Sequence, residues 1–334
     1  MSKMNYQRVE TTTPQEVKNK YKKWLPFALV MACILLVTIV GVGVYHHLGT
    51  EKGAEPFSSG KKNVEVIAIE GEIKAEGDKY NQEWINKRIQ AAQNDRDNQG
   101  IVLKINSPGG AVYESDETYL HLLDYKEKTK RPVYAYCEHL CASGGYYIAS
   151  AADEIYTNRN SFVGSIGVIS GRFVDATGLL DKLGVKVTTI HSGANKLMGH
   201  PSEPPTPEQL AIMQRLGDEA YEQFVGIVAK GRHMDINAVK ALADGRIYSG
   251  KQAKDNGLVD KVATQDEFKK AMKKKFGENI TFYENPYQNT KYNGILKHLS
   301  KSMAALSQSS ELQNTVETIQ GMTITEPMYL YQTN

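Results

Sequence analysis

The chain is poor in cysteine and almost without net charge, and each shortage excludes a class of protein. Its cysteines, Cys33, Cys137 and Cys141, are three in number, too few for a disulfide framework and without the paired spacing of a structural zinc site. With 40 Lys and Arg against 38 Asp and Glu the formal charge is +2. No broad basic surface follows and no groove-reading motif is present, so nucleic acid is not an expected partner. There is no duplication at a fixed period, which argues against a repeat solenoid. The 334 residues, 41% of them hydrophobic, nonetheless suffice for one large folded domain.

One long apolar run stands out, Trp24 to Tyr45, which carries no charge and has the length that spans a bilayer. Lys18, Lys20, Lys22 and Lys23 precede it, whereas the first stretch beyond it offers only Lys52, which predicts a cytoplasmic N-terminus. The expected organisation is a cytoplasmic tail (1–23), a transmembrane anchor (24–45), a Gly/Ser/Glu/Lys-rich linker (46–63), an extracellular domain (64–286) and a C-terminal tail (287–334). Such a protein is a single-pass component of the cell membrane. A cleaved secretory signal and lipidation at Cys33 are the alternatives. The run is longer than a secretory core and has no small-x-small cleavage site, and apolar residues continue past Cys33.

From Val64 onward, strand-like and helix-like segments alternate. VEVIAIEG, GIVLKIN, PVYAYCE, KVTTIHS, GLVDKV and ITFYE read as strands. Trp84–Ala92, Tyr113–Lys128, a segment opening at Ser143 and the long PEQLAIMQRLGDEAYEQFVGIVAKGR read as helices, the last with Pro207 in its first turn. This pattern predicts an α/β fold of repeated, parallel βαβ units.

Two Gly-rich motifs end successive strands. In Asn106-Ser107-Pro108-Gly109-Gly110 the glycines let the backbone present bare N–H groups. In Cys141-Ala142-Ser143-Gly144-Gly145-Tyr146-Tyr147 a serine opens a helix beside a free N–H. Amide cleavage needs an activated nucleophile, a base and donors for an oxyanion, and these motifs supply the first and third. Each also has an ordinary reading, NSPGG as a turn and Ser143 as a helix cap. On a parallel sheet they fall side by side on one edge.

NSPGG, ASGGYYIA, GSIGV (164–168), SGANK (192–196) and GRIYSGKQAKDNGLVD (245–260) together resemble the bacterial signal peptide peptidase A family in its single-repeat, Gram-positive form, over about Val64 to Glu284. The resemblance implies a ClpP/crotonase-like fold and a membrane-anchored serine endopeptidase acting on short apolar peptides such as remnant signal peptides. It implies no metal or cofactor. It makes Ser143 the nucleophile, Lys196 the general base, the N–H groups of Gly110 and Gly144 the oxyanion donors, and Ser165 the partner of the lysine amine. A lysine acts as base in its neutral form, which burial favours.

Neighbouring copies of the fold supply serine and lysine in that family, so a chain with one copy implies a homo-oligomer with shared sites. The extended PMYLYQTN terminus is then expected to lie in a substrate groove or to be trimmed. His139 and His191 compete for the role of base. Cys141 replaces the small residue usual at its position, and Cys137 and Cys141 are expected as buried thiols, although their spacing leaves a bond open. An acyl-CoA enzyme and a catalytically silent membrane scaffold of the same fold are the rival functions.

Overall fold

The β-branched runs assemble into one eight-stranded sheet in the computed structural model, which describes residues 60–284 and Tyr287. The strands are β1 (Asn63–Glu70), β2 (Asn98–Ser107), β3 (Val133–Ala142), β4 (Glu154–Thr157), β5 (Phe162–Gly164), β6 (Ile247–Ser249), β7 (Lys261–Val262) and β8 (Thr281–Glu284). The order β6-β5-β3-β2-β1-β8 forms the main path, with β4 against β3 and β7 against β4. These pairs are parallel except β5 with β6. The helices are α1 (Gln82–Asn94), α2 (Val112–Thr129), α3 (Gly144–Ala149), α4 (Thr177–Lys182), α5 (Pro207–Arg232), α6 (Ile236–Leu242), α7 (Gly250–Asp255) and α8 (Gln265–Phe276).

Alternation along the strands sends side chains to two separate cores. Ile67 and Ile69 of β1 join Ile85, Ile89, Leu122, Tyr125, Tyr146 and Val228 from α1, α2, α3 and α5. Val64 and Val66 point the other way, towards Val102, Tyr136, Tyr156 and the α8 residues Phe268 and Met272. Helix starts follow local chemistry. The Asn81 side chain accepts from Trp84 N–H, and Thr206/Gln209, Ser249/Gln252 and Thr264/Glu267 form reciprocal capping boxes at α5, α7 and α8.

The end of β3 is displaced. Ile105 of β2 pairs with Cys137 and Ser107 pairs with Cys141, so Glu138 to Leu140 lie opposite Asn106 alone. Before this jog β3 pairs with β4, and after it with β5. Cys137 and Cys141 are joined as a disulfide across the jog, their Cα atoms 5.4 Å apart, which corrects the expectation of two free thiols. Four residues of straight strand would hold the two Cα atoms roughly 13 Å apart, and the jog draws them together.

Two further expectations change. Residues 186–192 (KVTTIHS) form no strand, and every residue from Asp181 to Ala194 is exposed, Ile190 at 97%; a strand needs a neighbour, and the described residues provide none there. The anticipated membrane helix at 24–45, the tail 1–23, residues 46–59 of the linker and the PMYLYQTN terminus lie outside the described residues. Among those described, no helix is long and apolar enough to cross a membrane. The longest, α5 at 26 residues, carries Glu208, Arg215, Asp218, Glu219, Glu222, Lys230 and Arg232 along its length. Over the described residues, the fold class is therefore corrected to a mixed α/β domain without a membrane-spanning helix. No described helix supports the expected membrane anchoring, cell-membrane localisation or membrane partner, and these expectations are not carried further.

One ion pair is sealed inside. Glu65 of β1 is fully buried and accepts from Arg88 Nε of α1 at 2.6 Å. Burial holds the Glu65 carboxyl up at about 7, with the Arg88 charge pulling the other way. The folded chain therefore keeps this proton more tightly than an unfolded glutamate of pKa 4.5. The group's contribution to stability is full below about 4.5 and is lost as pH rises through about 7. Arg88→Met removes the opposing charge and is expected to cost about 3–5 kcal/mol at pH 8 and distinctly less at pH 5. Urea unfolding at both values is the check, and an equal loss at both contradicts the account.

Candidate active site

Parallel pairing places three strand ends side by side. Ser107 of β2 lies opposite Cys141 of β3, and Ala142 of β3 lies opposite Gly164 of β5. The residues that follow, Gly109 and Gly110, Ser143 and Gly144, and Ser165, thus leave the sheet along one edge. Ser143 occupies a sharp strand-to-helix turn at φ 52°, ψ −123°, a left-handed backbone rarely held by a residue with a Cβ. Its N–H donates to Gly164 O at 2.8 Å, and its C=O accepts from Tyr147 N–H at 2.9 Å as α3 begins. The side chain is half-buried, and its hydroxyl has no hydrogen-bond partner among the described residues.

The NSPGG loop packs directly onto this turn. A methyl group on Gly109, whose φ is +95°, would stand 2.6 Å from Gly144 N and 2.7 Å from Ser143 Cβ. The loop is held by Ser107, whose hydroxyl donates to Gly71 O at 2.7 Å and accepts from Gly109 N–H at 3.0 Å. Ile73 donates to Gly109 O and accepts from Ala111 N–H, each at 2.8 Å. These bonds pass over Gly110. Neither the Gly110 nor the Gly144 N–H donates to a described residue; the Gly144 N–H adjoins Ser143 in the chain, and Gly110 follows the glycine that packs on the serine turn.

Ser165, at φ 50°, donates its N–H to Arg246 O at 2.8 Å and is half-buried next to the Ser143 turn. Lys196 is elsewhere: exposed, in a turn closed by its N–H to Gly193 O at 3.1 Å, with no side-chain bond to Ser143 or Ser165. The described residues of its own chain leave Lys196 open to solvent. Neither histidine replaces it. His139 sits exposed in the β3 jog, lining a surface groove with Asn158, Ser161 and Asp266 that excludes Ser143. The exposed His191 ring lies 3.2 Å from Gly193 O.

Sequence reasoning missed three contributors to this geometry. Gly109 makes the close approach, Ser107 ties the loop, and Ser115 of α2, buried, stands where a methyl group on Gly144 would come within 2.3 Å of its hydroxyl. The first two lie inside a motif already singled out. Ser115 has no local signal, because its closeness to Gly144 exists only after β2, α2 and β3 have packed.

The chain is similar to known peptidases over most of the described domain. The model of peptidase family S49 matches residues 125–279, and that of the NfeD1b N-terminal domain matches residues 63–180. A putative signal peptide peptidase SppA of Enterococcus faecium is 38% identical over 247 residues, covering 71% of this chain and 71% of that protein. A putative protease of Methanocaldococcus jannaschii is 41% identical over 187 residues, 56% of this chain and 58% of that one. Among solved structures, a ClpP1 mutant of Listeria monocytogenes shows a loose likeness, with a TM-score of 0.41 and 18% identity over 60% of this chain and 92% of that one. By class the protein is a serine peptidase. It belongs to peptidase family S49, the family of SppA and protease 4.

The Gly144 contact makes a direct prediction. Gly144→Ala drives a methyl group into the Ser115 hydroxyl and is expected to lower kcat about a hundredfold, the scale of losing one oxyanion donor. Gly144→Ala with Ser115→Ala removes the obstructing oxygen and is expected to recover at least a part of that loss, about tenfold. Steady-state kinetics on a fluorogenic peptide decide it; a double variant no faster than the single one refutes the steric account.

Proposed function

We propose that Ser143 is the nucleophile of this peptidase, that the Gly110 and Gly144 N–H groups hold the oxyanion, and that Lys196 of a neighbouring copy of the chain acts as general base with Ser165 orienting its amine. The observation that carries the reading is the half-buried, unpartnered hydroxyl of Ser143 next to the unbonded Gly144 N–H, with the NSPGG loop packed on its turn. In the reaction, Ser143 Oγ bonds to the peptide carbonyl carbon while its proton passes to the lysine amine. The carbonyl oxygen becomes the oxyanion against the two glycines. Collapse of this intermediate breaks the C–N bond, and the leaving amine takes the proton from the lysine. Water then attacks the acyl-serine by the same route in reverse and frees the acid.

Sharing between copies is supported by where Lys196 lies. It follows a stretch whose apolar residues Leu183, Val185, Val187 and Ile190 are 46–97% exposed, surface that a second copy would remove from water. Among the described residues no lysine bonds to the Ser143 hydroxyl, which supports a working enzyme that is a homo-oligomer of the single-repeat kind. Substrates are peptides, and the name of the Enterococcus faecium relative supports remnant signal peptides within that class.

Ser143→Ala and Lys196→Ala are each expected to lose at least about a thousandfold in kcat/KM, whereas His139→Gln and His191→Gln retain most activity. Co-expressed in equal amounts, Ser143→Ala and Lys196→Ala chains that mix at random place an intact serine beside an intact neighbouring lysine at about a quarter of the sites. Activity on a fluorogenic apolar peptide should return to that level. Oligomers shown to be mixed, yet inactive, would rule out sharing while leaving both residue assignments in place.

A further inference from the structure

The two donors assigned to the oxyanion belong to different helices. Gly110 lies just before α2, and Gly144 is the first residue of α3. Their separation is thus not fixed by covalent neighbourhood, and it depends on how α2 and α3 are held together.

A polar link joins those helices one turn behind the serine. Tyr147 of α3, whose N–H donates to Ser143 O, donates its hydroxyl to Asp116 Oδ1 of α2 at 2.6 Å. The Tyr147 hydroxyl oxygen in turn accepts from Gln223 Nε2 of α5 at 2.7 Å. The Tyr147 side is buried, 4% exposed, with its ring edge-on to Tyr119 at 5.6 Å and tilted on Phe224 at 5.0 Å. Aromatic packing of this kind tolerates small sliding, but a short hydrogen bond to a carboxylate is directional. Burial first, then the bond to Asp116, hold the Tyr147 hydroxyl well above the ordinary phenol range, so it stays a donor wherever the enzyme is folded.

We infer that Asp116, Tyr147 and Gln223 are positioning residues that set the spacing of the Gly110 and Gly144 N–H groups, and through it the stabilisation of the oxyanion. The inference rests on the site reading proposed above. None of the three touches the reacting atoms. Because the oxyanion exists only as the transition state forms, a mis-set spacing lowers kcat and leaves substrate affinity nearly unchanged. The loss falls below the hundredfold to thousandfold of removing a donor outright.

The test uses the full chain, a fluorogenic peptide and a peptide aldehyde whose adduct with serine carries the same oxyanion. Tyr147→Phe keeps the ring and removes only the link. It is expected to lower kcat about tenfold or more with KM within about twofold, and to weaken the aldehyde by the same factor as kcat/KM. Asp116→Asn still offers an acceptor and should stay within about threefold of the original kcat, whereas Asp116→Ala should fall as far as Tyr147→Phe. The double variant Tyr147→Phe with Asp116→Ala should be no slower than either alone, since one bond is broken in each. A Tyr147→Phe enzyme with unchanged kcat and aldehyde affinity overturns the inference, as does a double variant that multiplies the two losses. Ser143→Ala measured alongside separates the levels: activity surviving there removes the site reading and this inference with it, whereas an inert Ser143→Ala beside an unimpaired Tyr147→Phe removes the link alone.

Discussion

The parallel pairing of β2 with β3, shifted by the jog at Glu138 to Leu140, is the constraint on which the site depends. Without the shift, the residue opposite Ser107 would be His139 rather than Cys141, and the Ser143 turn would leave the sheet two residues beyond the NSPGG loop. With it, the loop and the turn emerge level and Gly109 packs against Ser143 and Gly144 at a distance no side chain permits. The change of partner from β4 to β5 at the same jog brings Ser165 level with Ser143. A local irregularity in one strand thus aligns three loops.

What was legible in the sequence was whatever local pattern determines. The apolar runs of β1 and β2, the Pro207 start of α5 and the two Gly-rich turns each announce themselves within a few residues, because hydrophobic periodicity and cap chemistry act over that range. The serine turn and the loop beside it could be placed on one edge by assuming a parallel sheet. What escaped depends on tertiary context. The jog in β3 has no glycine or proline to mark it, the Cys137–Cys141 bond follows from the jog, and Ser115 meets Gly144 only across packed helices. The misread KVTTIHS has the composition of a strand, but a strand is a property of a pair. Lys196, next along the chain, carried no local signal and came into view through the family resemblance alone.

Polar groups in the interior divide into two kinds. Glu65 and Arg88 form a buried ion pair whose desolvation is large and whose replacement by one partner alone leaves a stranded charge. Such a pair ties β1 to α1 without touching the chemistry. The Tyr147 hydroxyl, bonded on both sides, ties α2, α3 and α5 together next to it. Both specify relative positions more sharply than the surrounding apolar contacts, since hydrogen bonds have direction and dispersion does not.

The exposed arm from Asp181 to Ala194 bears on when the enzyme becomes dangerous. A peptidase complete within one chain is armed as soon as it folds, while unfolded neighbours leaving the ribosome are within reach. In a shared site, a newly made copy holds a serine with no base beside it and a lysine bathed in water. If the site is shared as proposed, that copy stays latent until enough copies accumulate to cover one another's arms. On that proposal proteolysis would be switched on by abundance, and the exposed apolar residues of the arm would act as its safety catch.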